Sequence, residues 1–250
     1  MNLEMMNTRL SQAEIEKMVW ANPAKVVSGT TVILPPARLS FANLGKRGKA
    51  TNDDGTPREG KFGANLLFTK DADLTALVQA RAAMLAENFP ANPKGAGMKV
   101  PFRDQADRVA PLEGGSNAAG KTSKGYVPGC IFIAPTANNR PPLATFETGG
   151  VKAFLSQDED LIDQTFYSGI WAICAVNPYV TKNTKNPGVF FGLQSVLKVR
   201  DDNAFSGGGI DPFTAFGGIN IDSSIDPTAL FGGAAAPADE NDALAALGIK

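Results

Sequence analysis

The chain has 250 residues, of which 43% are hydrophobic, and a formal net charge of −1. A body of this length buries a sizeable core without a disulfide or metal staple. The sequence contains no histidine, which excludes Ser/His and Cys/His nucleophiles and His-ligated zinc. No enzymatic activity, cofactor or metal is therefore expected.

The first half of the chain predicts two helices and a few strands. A short amphipathic helix is predicted over 8–20, because Ser11 and Glu14 have capping-box spacing; it would serve packing or a subunit contact. A long strand is predicted over 25–34, with Gly29 allowing it to bend around a barrel. Further elements follow in this order: a continuation at 37–44, a cation-rich hairpin or loop at 45–61, a strand at 62–68 and a helix at 71–88.

The second half predicts mainly strands. After a loop-rich stretch from 91 to 129, strands are predicted at 130–134, 143–146, 151–155, 167–180 and 188–200, with a charged turn at 158–163. About five strands and one substantial helix favour a mainly β protein with an OB-fold-like, partly open Greek-key barrel and long loops. A β-sandwich fits the strand count almost as well.

One motif indicates a different function. Residues 115–122 match the phosphate-binding pattern GxxxxGK[ST], which would place Lys121 beside a nucleotide phosphate. That pattern works between a buried strand and a helix, whereas Pro111 and Gly125 surround it with loop-forming sequence. A flexible loop is the preferred interpretation, and a P-loop nucleotide-binding enzyme remains an alternative.

The strand at 167–180 places aromatic rings on one face. Period-two alternation groups Tyr167, Trp171 and Tyr179, while the opposite face is small and apolar and is expected to face the core. Outward rings would stack on unpaired bases, each worth about 1–3 kcal/mol with little sequence preference. A competing interpretation is that Trp171 simply covers part of the core.

Cations accompany aromatic residues in two further places. The strand at 188–200 places Phe190, Lys198 and Arg200 on one face, after a loop that carries Lys182 and Lys185. Rings and cations alternate again between residues 38 and 62. The predicted DNA-binding residues are Arg38, Phe41, Lys46, Arg47, Lys49, Lys61, Phe62, Arg103, Tyr167, Trp171, Tyr179, Lys182, Lys185, Phe190, Lys198 and Arg200.

The charge of the tail is opposite to that of the body. Residues 1–200 carry 23 Lys and Arg against 17 Asp and Glu, whereas residues 201–250 carry eight acids and only one cation. Two related Asp-Pro segments, 211–218 and 226–233, repeat within it. Such Gly- and Ala-rich sequence cannot offset its ordering entropy, so a flexible tail that docks into a partner's groove or competes with a polyanion is predicted.

The two cysteines and the chain start bear on location. Cys130 and Cys174 lie in apolar segments without metal-ligand spacing, so buried, reduced thiols are expected. The N-terminus lacks a signal-peptide apolar region, and no run of about 18 apolar residues occurs. No membrane association is predicted.

Several segments, taken in order, resemble a known family. They are ARLSFANL at 37–44, the strand–helix passage at 62–84, VPFRD at 100–104, YSGIWAICAVNPY at 167–179 and GVFFGLQSVLKVRDD at 188–202. Together they resemble the single-stranded-DNA-binding proteins of tailed bacteriophages, over residues 24–205. Phe41, Tyr167 and Trp171 match the aromatic residues of that family.

The resemblance implies an OB-fold body that binds single-stranded DNA without sequence preference, in phage DNA replication, recombination or repair. It also implies work in the cytoplasm of the infected host, with a tail that blocks the groove and recruits phage or host replication proteins. The predicted division is a helical extension at 1–23, a DNA-binding domain at 24–202 and a tail at 203–250. A homo-oligomer through the N-terminal helix stays open, as does an RNA-binding or phage structural protein of similar fold.

Overall fold

The computed structural model describes residues 2–52, 54–109, 123–183 and 186–205. The phosphate-loop-like segment at 115–122, Lys185 and the tail from residue 206 onward lie outside the described residues. The predictions made for them, and the division into three parts, therefore stay predictions.

Four α-helices are present in the described chain: α1 (Leu3–Met6), α2 (Gln12–Trp20), α3 (Thr75–Asn88) and α4 (Glu159–Thr165). A 3₁₀ helix spans Gln105–Arg108. The predicted capping box of α2 is confirmed, because Ser11 and Glu14 exchange side-chain and backbone hydrogen bonds. The predicted charged turn at 158–163 is wrong: Asp158 caps the backbone N–H groups of Asp160 and Leu161, and the acids of the first turn suit the positive end of a helix.

The strands of the described residues are β1 (Lys25–Ser28), β2 (Thr31–Ile33), β3 (Ala37–Asn43), β4 (Lys49–Thr51), β5 (Pro57–Glu59), β6 (Phe62–Leu67), β7 (Arg103–Asp104), β8 (Ile131–Ile133), β9 (Thr136–Ala137), β10 (Leu143–Glu147), β11 (Gly150–Phe154), β12 (Trp171–Thr181) and β13 (Gly188–Arg200). The single strand predicted over 25–34 is wrong. It is the β1–β2 hairpin, which turns at Gly29 with a positive φ of 51°.

Five strands form a closed circuit. β3 pairs with β6, β6 with β9, β9 with β13, β13 with β12, and β12 with β3. The β9–β13 contact is parallel and the others are antiparallel. This is the arrangement of the OB-fold, so the predicted fold class is confirmed. The β4–β5 hairpin lies in the connection between the first and second barrel strands, β3 and β6.

The barrel is filled by apolar side chains from all sides, including Val32, Leu39, Leu66, Ile133, Cys174 and Leu193. Outside the barrel, the N-terminal residues form a second apolar cluster. Met6, Leu10, Ile15 and Val19 pack there with Trp171. None of the described helices combines the length and apolarity that crossing a membrane requires.

Candidate nucleic-acid interface

Trp171 does not present its ring to solvent. Its exposed fraction is 0%, so the prediction of an outward stacking platform at this position is wrong. The predicted alternation was right, since Ala172, Cys174 and Val176 face the barrel core. The N-terminal cluster, with Ile15 and neighbouring apolar residues, covers the outer side of Trp171. The competing interpretation, a tryptophan that covers core, is the one the structure supports.

Arg38 is also buried, with 0% exposure, and is therefore not placed to neutralise a phosphate as predicted. Its guanidinium donates hydrogen bonds to four backbone carbonyls, those of Met6, Asn7, Gly169 and Asn203. The Asp202 carboxylate lies 3.8 Å away. Burial lowers the pKa of Arg38 to about 10 and the Asp202 charge opposes this, so the side chain stays charged at neutral pH.

Tyr167 and Lys198 lie at the edge of this buried network. The Tyr167 hydroxyl lies 2.9 Å from Asp201 Oδ1 and 2.8 Å from the Asp202 carbonyl oxygen, so its one proton is shared between these two acceptors. Lys198 forms an ion pair with Asp201 and lies 5.8 Å from the Tyr167 ring centroid. Both predicted residues therefore hold the end of β13 against the body.

The prediction that Lys198 shares a face with Phe190 is wrong, because the β12–β13 register shifts between these two residues. Ala175 and Val176 pair with Ser195 and Leu193, so Gln194 is an extra residue in β13. Each such bulge flips the alternation of the residues beyond it. Lys198 consequently pairs with Ala172, a core residue. A second shift, between Trp171 and Ala172, returns Arg200 to the side of Phe190, but Arg200 pairs there with the buried Trp171 and forms an ion pair with Glu14 of α2.

The cations predicted between residues 38 and 62 do not form a single cluster in the structure. Lys46 is paired with Asp160 and Arg47 with Glu59, both at the surface. Lys49 is exposed on β4. Phe62 is only 8% exposed, and its ring lies between the guanidinium groups of Arg47, at 5.2 Å, and Arg140, at 5.5 Å. Phe62 thus supports two cations rather than offering a free face.

Phe41 lies on β3 and Arg103 lies on β7, which pairs with β8. Phe41 is 53% exposed and has a positive φ of 49°, at an irregularity in the pairing of β3 with β6. The Arg108 guanidinium lies 5.8 Å from its ring. Arg103 pairs with Asp107 and lies over Phe132.

Three predicted residues do meet, in a cleft on the barrel surface. Tyr179 and Phe190 are directly opposite in the β12–β13 register, with ring centroids 6.2 Å apart and an interplanar angle of 37°. Tyr179 is 38% exposed. Lys61 lies at the start of β6 and borders the same space. Burial raises the pKa of the Tyr179 phenol, so the ring is neutral at physiological pH.

The cleft consists of two adjoining cavities of about 450 and 380 Å³, which share Lys61 and Tyr179. None of the described residues that line them is acidic. Lys61 and Lys99 have no ion-pair partner within the described chain, so their charge is directed to solvent. Lys182 is exposed just beyond the end of β12.

Sequence reasoning missed most of the polar residues of this cleft. They are Asn138, Asn139, Arg140, Asn177 and Gln194. Arg140 is held in place by hydrogen bonds from its guanidinium to the Gly45 carbonyl, at 2.6 Å, and to Glu159. A signal was present in the spacing of these residues. Asn177 is two residues from Tyr179 on β12 and Gln194 is four residues from Phe190 on β13, and even spacing in a strand predicts a shared face.

The sequence matches a family model described as the ssDNA-binding protein of Enterobacter phage Enc34, over residues 30–226. The search of curated proteins gives no match. Solved structures of the single-stranded DNA-binding protein from bacteriophage Enc34 have the same fold. One has a TM-score of 0.51 and 20% identity, covering 78% of this chain and 97% of that one.

A second structure of that phage protein, in complex with ssDNA, has a TM-score of 0.50 and 22% identity, covering 76% of this chain and 99% of that one. The structure of its C-terminal truncation has a TM-score of 0.50 and 20% identity, covering 74% of this chain and 97% of that one. These findings confirm the resemblance seen in the sequence. Because the family model spans most of the chain, this protein belongs to the family of phage ssDNA-binding proteins that includes the one from Enc34.

Proposed function

We propose that this protein binds single-stranded DNA in the cleft between β6, β9, β12 and β13, without sequence preference and without a catalytic step. The observation that supports this most directly is the Tyr179–Phe190 ring pair in a cleft bordered by Lys61, Lys99 and Arg140 and by no acidic residue among those described. In OB-folds this face, with the loops on either side of it, is where oligonucleotides bind.

Stacking supplies the contact with bases. An exposed ring contributes about 1–3 kcal/mol for each base that stacks on it, with little dependence on which base it is. Tyr179 presents the more exposed ring, and Phe190 lies beside it on the neighbouring strand, tilted by 37°. A duplex hides the base faces in its own stack, so single strands are favoured over duplex DNA.

Cations supply the contact with phosphates. Lys61 and Lys99 have free ammonium groups, and Arg140 has a guanidinium held by Gly45 and Glu159. Each phosphate that is neutralised on a single strand releases counterions and contributes about −0.7 to the slope of log K against log salt. Binding should therefore weaken measurably as salt is added.

The tail supplies a competitor for the same cations. Six acids and one lysine follow residue 205 in the sequence. We propose that this segment competes with DNA for the cleft and is released for phage or host replication proteins when DNA binds. This places the protein's work in phage DNA replication, recombination or repair in the cytoplasm of the infected host.

The test compares Tyr179→Ala with Phe146→Ala. Phe146 is a more accessible ring, 58% exposed against 38% for Tyr179, but it lies on β10 outside the cleft. Binding to a fluorescently labelled oligo-dT is measured by anisotropy over a salt series. Tyr179→Ala is expected to weaken binding by about tenfold or more, because a stacking contact is lost, whereas Phe146→Ala should leave binding unchanged.

Lys61→Ala provides the matching test of the phosphate contacts. It should reduce the magnitude of the salt slope by about 0.7, while Tyr179→Ala leaves that slope unaltered. Equal affinities for wild type, Tyr179→Ala and Lys61→Ala would place the DNA on another surface and overturn this assignment of the cleft.

A further inference from the structure

Next to the ring pair, the cleft contains two side-chain amides joined to each other. Gln194 Nε2 donates a hydrogen bond of 2.6 Å to Asn177 Oδ1. Asn177 is two residues from Tyr179 on β12, so the two side chains lie on the same face of the strand. Both amides line the larger cavity together with Tyr179.

Gly192 makes this amide pair possible. It pairs with Asn177 across the strands, and a Cβ atom at residue 192 would lie only 2.6 Å from Asn177 Oδ1. With no side chain there, the Asn177 amide lies across β13 and reaches Gln194. The bulge at Gln194 places that residue where the two strands change register.

One NH₂ group and one carbonyl oxygen of this amide pair remain without a hydrogen bond among the described residues. Within the described chain, Asn177 Nδ2 and Gln194 Oε1 have no hydrogen-bond partner, and both groups belong to side chains that line the cleft. If both amides rotate by half a turn, the hydrogen bond between them is kept with its direction reversed. The free groups are then again one acceptor and one donor, in exchanged positions.

This pattern matches the Watson–Crick edge of every base. Adenine and cytosine present an exocyclic amino donor next to a ring nitrogen acceptor, and thymine and guanine present a ring N–H donor next to a carbonyl acceptor. Since the amide pair can offer its donor and acceptor in either order, it can satisfy each of these edges. In a duplex the same edges are occupied by the complementary strand.

We propose that Asn177 and Gln194 hydrogen-bond the Watson–Crick edge of a base held beside Tyr179, and so select unpaired bases of any identity. This rests on the proposed function, because it requires DNA in the cleft. It adds a second basis for single-strand selectivity, distinct from stacking and from phosphate neutralisation. Recognition of unpaired bases on this edge is common among proteins that bind single-stranded nucleic acids.

The experiment compares oligo-dT with an oligonucleotide of N3-methylthymidine. Methylation removes the N3–H donor and blocks the edge, but it leaves the ring face and the phosphates in place. Wild type should bind oligo-dT about three- to tenfold more tightly than the methylated oligonucleotide, the size expected for one net hydrogen bond. The Asn177→Ala/Gln194→Ala double variant should bind the two with equal affinity.

Two further variants keep the outcomes distinguishable. Gly192→Ala retains both amides but displaces Asn177, and it should also abolish the preference for oligo-dT over the methylated oligonucleotide. Tyr179→Ala should weaken binding to both oligonucleotides and keep their ratio. If Tyr179→Ala weakens binding but wild type does not distinguish the two oligonucleotides, the amide proposal is overturned while the cleft stands. If neither Tyr179→Ala nor Lys61→Ala weakens binding, the proposed binding of DNA in the cleft fails.

Discussion

Asp202 is the residue at which the two ends of the described chain meet. Its carboxylate accepts hydrogen bonds from the Trp171 indole at 2.7 Å and from the Arg9 backbone N–H at 2.9 Å, and it faces the buried Arg38 guanidinium. A buried charge is stable only when it is paired and hydrogen-bonded, and Asp202 and Arg38 satisfy each other in this way. The aromatic and basic side chains of this region therefore stabilise the body.

Tyr167 makes this region sensitive to alkaline pH. Burial, followed by the hydrogen bond to Asp201, raises the pKa of Tyr167 from 10.0 to about 12. The folded protein thus holds the phenol proton more tightly than the unfolded chain, and this contribution to stability is complete below pH 10. It is lost as pH rises through about 12.

We therefore expect the free energy of unfolding of wild type to fall, relative to that of Tyr167→Phe, as pH rises from 10 to about 12. Phenylalanine keeps the ring but has no proton to lose, so the comparison isolates the hydroxyl from other groups that titrate there. Urea unfolding at a series of pH values measures the difference. Parallel curves for the two proteins across this range would show that the hydroxyl makes no pH-dependent contribution.

At the scale of elements, strand positions follow from the sequence better than strand faces do. β13 matches the predicted 188–200, and β12 lies within a few residues of 167–180. Both predictions depended on long apolar alternation, which is a local property. The bulges of β13 are set by pairing with β12, and the cover over Trp171 is set by α1 and α2, so neither was visible in a period-two pattern.

The residues of the cleft were predicted only in part, because local alternation identifies some of them and tertiary contacts bring in the others. Tyr179 and Phe190 lie before the bulge, where simple alternation holds, and Lys61 was identified as a cation beside a ring. Asn138, Asn139 and Arg140 come from a separate segment that reaches the cleft only because β9 closes the barrel. Contacts between segments so distant in sequence leave no local signature.

Helix α2 should contribute to stability through one face only. Ile15 is 1% exposed and packs in the cluster around Trp171, whereas Trp20 is 63% exposed at the end of the same helix. Ile15→Ala is expected to lower the free energy of unfolding by about 2–5 kcal/mol, since it removes buried apolar volume. Trp20→Ala should change it by less than about 0.5 kcal/mol.

Urea denaturation followed by circular dichroism measures both variants without relying on tryptophan emission. A similar loss in the two would show that α2 is held by general helix propensity and not by its contact with the body. Equal stability of Ile15→Ala and wild type would show that the N-terminal helices do not stabilise the barrel.

For the molecule as a whole, the packed body includes residues beyond the last strand, among them Phe205. The Phe205 ring lies 4.4 Å from the Arg38 guanidinium and fills the space that Gly125 leaves by having no side chain. Its backbone N–H donates to the Ser168 carbonyl at 2.8 Å. Residues 201–205, although acidic at their start, are thus part of the packed structure.

Two truncations test this boundary. A chain that ends at Phe205 should keep the free energy of unfolding of the full chain within about 0.5 kcal/mol. A chain that ends at Arg200 loses the Asp202 carboxylate that faces Arg38 and should be less stable by about 3–5 kcal/mol. Urea titration at neutral pH compares the three proteins; equal stability of the two truncations would move the boundary back to β13.

The chain that ends at Phe205 also tests the proposed competition by the tail. It should bind oligo-dT more tightly than the full chain at low salt, and the difference should shrink as the Debye length falls to about 8 Å at physiological ionic strength. Affinities that stay equal at every salt concentration would remove the tail from the binding mechanism.

The β9–β13 junction has the fewest paired residues in the barrel circuit. β9 is a strand of two residues, and it meets β13 through the pair Gly192 and Thr136. The cleft lies over this junction, with Lys61 on one side of it and Asn177 on the other. In the proposed binding mode, a DNA strand that contacts both sides spans the junction between β9 and β13. DNA that binds only the closed barrel then stabilises the pairing of β9 with β13, and this pairing in turn favours DNA binding.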